Sequence, residues 1–243
     1  MGRLFTALMT LLMLPMANAA TEILISEMPP YVNAGGKDGI AVDTLAELFK
    51  RSGIEYKFQV VPLKRAVISA KDVANTCAAP VERSQDRETD YKWVSPVLIT
   101  QTSFFTQSGD KTEINSLDDA KAKTVGVALG SNAESYLKGF NFKVETANEN
   151  ANPKKLKAGR IGIWAADTIS GPYYAKQDGM ELREAFTFST TLAALACNNK
   201  ISDQTIETLN QNLTKMYQDG TMKKIFDKYT SSLGITSKAL FLK

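Results

Sequence analysis

The sequence predicts an α/β fold with a mainly parallel sheet, and three stretches carry that expectation. Residues 22–81 alternate strand, helix, strand, helix, strand, an order that argues for parallel strands joined by crossover helices. Residues 124–134, Thr-Val-Gly-Val-Ala-Leu-Gly-Ser-Asn-Ala-Glu, read as a strand, a glycine turn and a helix start. A long helical region from residue 203 to about 228 comes near the end of the chain.

Taken in order, residues 1–19 read as a secretory signal peptide. Arg3 supplies the positive end, residues 4–16 are apolar apart from Thr6, Thr10 and Pro15, and Ala17-Asn18-Ala19 is an A-x-A cleavage site. The apolar run is too short to span a bilayer. The expected product starts at Ala20, is exported and soluble, and resides in a bacterial periplasm. Residues 22–26 form a strand that stops at Met28-Pro29-Pro30-Tyr31, because proline cannot donate to a sheet ladder. Val42, Leu45, Leu48 and Phe49 fall at helical spacing, with Gly53 as the stop. Residues 56–62 alternate as a second strand, 65–71 suit a short helix, and 74–81 a third strand. Beyond Pro96, a strand is expected at 102–106, a short helix capped by Ser116, a helix at 170–176 and an apolar strand at 192–197.

Composition narrows the chemistry. There are no histidines, which excludes a Ser-His-Asp triad, a Cys-His pair and imidazole metal sites. Two cysteines, Cys77 and Cys197, are too few for a structural zinc site. Lys and Arg number 29 against 26 Asp and Glu, a net charge of +3, or +2 without Arg3. That balance speaks against nucleic acid and against a membrane surface as partners. No cofactor and no metal are expected.

Residues 77–96 organise the chain. A small-residue run ending at Val81 leads into a polar segment with Arg83 and Arg87 and closes on Tyr91, Trp93 and Pro96. An arginine just past a buried strand suits an anion, since its planar fork matches a carboxylate with two parallel hydrogen bonds. A solvated arginine on a surface turn fits the same residues.

Ser84-Gln85-Asp86-Arg87, followed by Trp93 and Ser95-Pro96, resembles the "T-P-E-R … F-S-x-P" signature of family 3 periplasmic solute-binding proteins, the polar amino-acid receptors of ABC importers. Gly39-Ile40-Ala41-Val42-Asp43 is similar to that family's "G-F-x-V-D-L", and residues 125–134 to its "V-G-V-x-x-G-T-T-x-E". Residues 159–167 resemble "G-R-V-D-A-V-x-x-D", residues 192–197 the return strand "Y-G-I-A-V", and Asp219-Gly220-Thr221-Met222-Lys223-Lys224-Ile225 the "D-G-T-x-x-K-I" near the C-terminus. The matches run in the family's order from residue 22 to 230.

The resemblance implies a type II two-lobed periplasmic-binding-protein-like fold with a ligand cleft between the lobes. Lobe one would be residues 20–100 plus 190–243, and lobe two residues 101–189. It implies that Arg87 binds a ligand carboxylate, that Asp167 binds its ammonium group and that Tyr31 stacks on it. Ser131 and Asn132, at the glycine turn, would help hold it. From the residues alone, Tyr31 also fits a ring packed over the sheet end, and Asp167 a helix cap. The chain departs from the family at Glu82, where Ser or Thr usually donates to the ligand carboxylate. An anion there would repel one unless paired, with Arg65 and Arg83 as candidate partners, or would meet a cationic ligand group.

The expected function is a monomeric periplasmic receptor that passes a small polar solute, an amino acid or a relative of one, to the membrane permease of an ABC importer. Two other classes remain open. Secreted cyclohexadienyl dehydratases resemble the same fold, with Asp167 or Glu82 as a general acid, and a non-transport accessory of a periplasmic complex is the third. In the fold the chain resembles, the strands bearing Cys77 and Cys197 lie side by side. In an oxidising compartment that implies a disulfide between them rather than two buried thiols.

Overall fold

The computed structural model describes residues 20–235; the leader at 1–19 and the last eight residues lie outside the described residues. One eight-stranded sheet runs through the molecule. Its strands are β1 (Thr21–Ile25), β2 (Tyr56–Val60), β3 (Thr76–Glu82), β4 (Lys92–Gln107), β5 (Val125–Ala128), β6 (Val144–Ala147), β7 (Ile163–Asp167) and β8 (Leu182–Cys197). They lie in the order β2-β1-β3-β8-β4-β7-β5-β6. At each end lies a trio of parallel strands: β2-β1-β3, which meets the expectation from residues 22–81, and β7-β5-β6, whose strand β6 the sequence reading did not include. Between the trios, β4 and β8 are antiparallel to each other and to their neighbours.

These two central strands are the main departure from the sequence-based expectation. Only residues 102–106 and 192–197 of them were expected as strand, yet each is 16 residues long, and they pair from Lys92↔Cys197 to Gln107↔Leu182. Pro96, on which the polar segment was expected to close, lies inside β4. The ladder accommodates it at a register shift between Val94 and Leu98, the irregular kind of position where proline is tolerated inside a sheet. The middle of both strands is half-exposed and polar, without the alternation that marks a half-buried strand.

Around the first trio, α1 (Ile40–Ser52), α7 (Asp203–Gln218) and α8 (Thr221–Thr230) cover one face. Their Leu45, Leu48, Phe49, Leu209, Leu213, Met216 and Phe226 join Ile23, Ile25, Cys77, Leu195 and Cys197 in one buried cluster. The other face packs Leu24, Ala78, Val81 and Trp93 under α2 (Leu63–Asp72). The second trio has its own clusters, around Phe104, Val125, Val127, Leu137 and Ile163 on one side and Phe105, Leu156, Ile161 and Trp164 on the other. Here α3 (Leu117–Ala120), α4 (Asn132–Gly139), α5 (Asn152–Lys157) and α6 (Ser170–Gln177) supply the cover. Ser116 caps α3 as expected, its side chain accepting from Asp119 N.

The expected single helical region at the end divides into α7 and α8. Gly220 stands at φ 78°, a left-handed conformation that glycine adopts without a Cβ penalty. Arg51 of α1 clasps the break, donating to Asp219 and to Thr221. Cys77 and Cys197 are directly paired across β3 and β8, both fully buried, and form a disulfide with Cα atoms 4.0 Å apart.

Candidate functional site

Parallel strands joined by crossovers leave their carboxyl ends open to a crevice, the usual ligand position in such sheets. In the first trio the loop after β1 carries Tyr31, and β3 ends on Glu82. In the second, the turn after β5 carries Ser131 and Asn132, and the turn after β6 carries Glu149. Asp167 is the last residue of β7. Side chains from the two sets touch. Tyr31 donates to Asp167 Oδ1 at 2.8 Å, Ser170 donates to the Pro29 carbonyl at 3.0 Å, and Asn132 Nδ2 donates to Glu82 Oε2.

The Tyr31 loop is fixed from beneath. Gly39, at φ 135°, lies so near the Tyr31 carbonyl that a Cβ there would fall 2.3 Å from it, so only glycine fits. Ala41 N then donates to that carbonyl at 2.9 Å. The Tyr31 ring is 2% exposed and packs with Ile40, Val97 and Leu98. It therefore presents its hydroxyl, not its face, to the opposite strand ends. Burial, then the neighbouring Asp167 charge, hold the phenol well above its ordinary pKa.

Asp167 also holds the entry to α6. Its Oδ1 accepts from Ile169 N at 2.9 Å and Ser170 N at 2.8 Å, as well as from Tyr31. Burial raises this carboxyl, and the donors pull the other way. The sequence offered a helix cap or an ammonium-binding carboxylate here; the contact with Tyr31 was not expected.

Ser131 is the cap of α4, accepting from Glu134 N, while Glu134 reaches back to Gly130 N at 2.6 Å. This reciprocal arrangement sets Asn132 at the helix start, facing Glu82. Glu82 is thus partnered by Asn132, not by the expected arginines. Arg83 instead pairs with Glu88 at 2.5 Å. Arg87 sits in the exposed turn Gln85–Arg87, its side chain 42% exposed, with Asp86 at 4.0 Å. The structure does not bring it into hydrogen-bonding contact with the other five expected residues.

Sequence reasoning missed Glu149 and Asn152. Glu149 follows β6 by two residues, at the same strand ends as Ser131 and Asp167. The signal available was topological: a polar turn after the strand paired with β5. A separate groove of about 930 Å³ lies between α6, β8 and residues 232–235, but none of the six expected residues lines it. The opposed strand ends, with their convergent polar groups, mark the site better than cavity size. Among the described residues there is no metal-ligand cluster, and no helix is long and apolar enough to cross a membrane.

Two parallel-strand units, bridged by a long antiparallel pair and facing each other at their carboxyl ends, define a type II periplasmic-binding-protein-like domain. Solved structures share it. The second substrate-binding domain of Lactococcus lactis GlnP in open conformation superposes at TM-score 0.71 and 22% identity, covering 88% of this chain and 96% of that one. An ancestral arginine-binding protein bound to arginine gives 0.68 and 22%, covering 87% and 98%. The chain belongs to the bacterial extracellular solute-binding proteins, family 3, whose profile matches residues 24–232. Curated relatives include the L-cystine-binding protein TcyJ of Escherichia coli (strain K12), 27% identical over 214 residues, 83% of this chain and 78% of that protein. The L-cystine-binding protein TcyA of Bacillus subtilis (strain 168) is 24% identical over 193 residues, 79% and 72% of the two chains. These relatives are binding proteins.

Proposed function

We propose that this solute-binding protein is an exported periplasmic receptor that captures a polar amino acid, or a close relative of one, and delivers it to the permease of an ABC importer. It would act as a monomer and without a cofactor. In this reading residues 20–100 plus 190–243 form one lobe and 101–189 the other, and the lobes close on the ligand about β4 and β8. The carrying observation is Asp167, a carboxylate held by two backbone amides at the end of β7 and touched by Tyr31 from the opposite trio. A fixed anion at that junction suits an ammonium group, and a closing cleft strengthens such a contact by excluding water. Arg87 serves the carboxylate end of the ligand, swinging in from its exposed turn. Ser131 and Asn132 line the wall between, and Tyr31 orients Asp167. Glu82, tied to Asn132, replaces a hydroxyl donor of the family pattern and favours ligands with a further cationic or hydrogen-bond-donating group.

A thermal-shift screen of the common amino acids and L-cystine, followed by calorimetry, tests the reading. At least one should raise the melting temperature and bind one per chain, and Asp167→Asn should weaken it at least tenfold. Turnover of prephenate to phenylpyruvate by the purified protein would instead identify a dehydratase. Tight copurification with a periplasmic enzyme, with no small ligand bound, would identify an accessory subunit.

A further inference from the structure

Glu149 is the least explained acid in the molecule. Its Oε2 is buried and has no hydrogen-bond partner. Behind it Asn152, the first residue of α5, is 0% exposed, and both polar atoms of its side chain lack partners by hydrogen-bond geometry. Its amide is nevertheless close enough to favour the Glu149 carboxylate electrostatically, while its Oδ1 backs onto Gly126 of β5. A buried amide and a buried carboxyl oxygen left open side by side are costly unless something completes them.

The surroundings say what would complete them. The groups acting on Glu149 are Asp167 at the end of β7, Tyr174 of α6 and Asn152 of α5. None of these brings a positive charge. Two carboxylates at neighbouring strand ends disfavour each other's ionisation, and burial adds to that. For Glu149 the result is a carboxyl pushed up to about 7, by burial first and by Asp167 second. A cation set between the two acids would relieve both effects.

We propose that Glu149, backed by the Asn152 amide, is a second carboxylate of the ligand site, and that it and Asp167 together receive a protonated amine of the ligand. The proposal rests on the receptor reading above and adds a second acid to the ammonium end of its ligand. Binding then expels the Glu149 proton to solvent, and affinity follows the ionised fraction of that carboxyl. With a midpoint near 7, that fraction rises about tenfold between pH 6 and pH 8.

Calorimetry from pH 5.5 to 8.5 on the mature chain tests this, with L-cystine and L-arginine as one pair of probes and methylammonium as a bare ammonium. The expected result is affinity about tenfold higher at pH 8 than at pH 6, with proton release detected in buffers of different ionisation enthalpy. Glu149→Gln, checked for folding by circular dichroism, should bind at least tenfold more weakly at pH 8 and lose the pH slope. Glu149→Asp should recover the slope. An amino-acid probe that binds wild type and Glu149→Gln alike, with the same pH profile, overturns the proposal and leaves the amino-acid reading standing. Methylammonium bound in a Glu149-dependent way while both amino acids fail supports the ammonium site and refutes those ligands. Failure of all three probes to bind overturns the proposal.

Discussion

Removing the Cys77–Cys197 disulfide should destabilise the protein more than the loss of any one of its hydrogen bonds or ion pairs. The bond joins positions 120 residues apart in sequence, adjacent in register on β3 and β8 and both fully buried. Loop-closure entropy for about 120 residues gives roughly 5 kcal/mol at 25 °C, while measured losses span about 2–5 kcal/mol. For a chain of this size each kcal/mol moves the midpoint by about 2–4 °C, so the double variant Cys77→Ala/Cys197→Ala should melt some 5–20 °C lower. Alanine is preferred to serine, because a hydroxyl would be buried without a designed partner. Urea titration should show the loss with a larger dependence on denaturant, since the unlinked unfolded chain expands further. The native oxidised protein should show no titratable thiol after denaturation without reductant. A loss below about 1 kcal/mol would refute the entropic argument, and two titratable thiols would refute the bond itself.

Three further outcomes are expected. Arg87→Ala should lower ligand affinity at least tenfold while leaving the melting temperature within about 2 °C, since the side chain is 42% exposed and a charge-assisted contact is worth about 1.5–3 kcal/mol; unchanged affinity in calorimetry would remove the carboxylate-binding role. Tyr31→Phe keeps the buried ring but deletes the bond to Asp167, so stability should fall by about 1.5–3 kcal/mol in urea titration, and a neutral change would show that the bond is unimportant. Glu149 makes stability pH-dependent. Its folded value near 7 lies above the ordinary 4.5, so its contribution is full below about pH 4.5 and is lost as pH rises through 7, by up to roughly 3 kcal/mol. Glu149→Gln should flatten that segment of a melting-temperature profile, and an unchanged profile would assign the slope elsewhere.

Local chemistry was legible where one segment decides it. The first crossover unit, the cap at Ser116 and the stop at Gly53 all stand where short-range rules put them. Glu82 illustrates what was not. Its neighbours in sequence, Arg83 above all, were natural partners for an anion, but side chains alternate across a strand, and Arg83 turns to Glu88 while Glu82 meets a residue 50 positions away. Glu149 and Asn152 were invisible for the same reason. Nothing in residues 148–152 sets this acid near Asp167 until the parallel pairing of β5 with β6 and β7 brings their carboxyl ends together. The reading of Asp167 as an acceptor at the start of the following helix stands, since two backbone amides donate to it there.

The length of β4 and β8 bears on how the lobes would move. Closure of two lobes, as we propose, must be absorbed where the chain passes between them, and the described chain does so on these paired strands. They are anchored at both ends. Near Lys92↔Cys197 the disulfide ties β8 to β3, and near Phe104 and Phe105 the ladder to β7 and two buried aromatic clusters hold the second trio. Between the anchors lie the register shifts at Val94/Leu98 and Thr102/Ser103 and the half-exposed run Thr100, Gln101 and Thr102. Backbone rotation costs least where few buried contacts change, so bending concentrates in that middle section. The polar, unpatterned residues that hid these strands from sequence inspection are then the ones that let them flex.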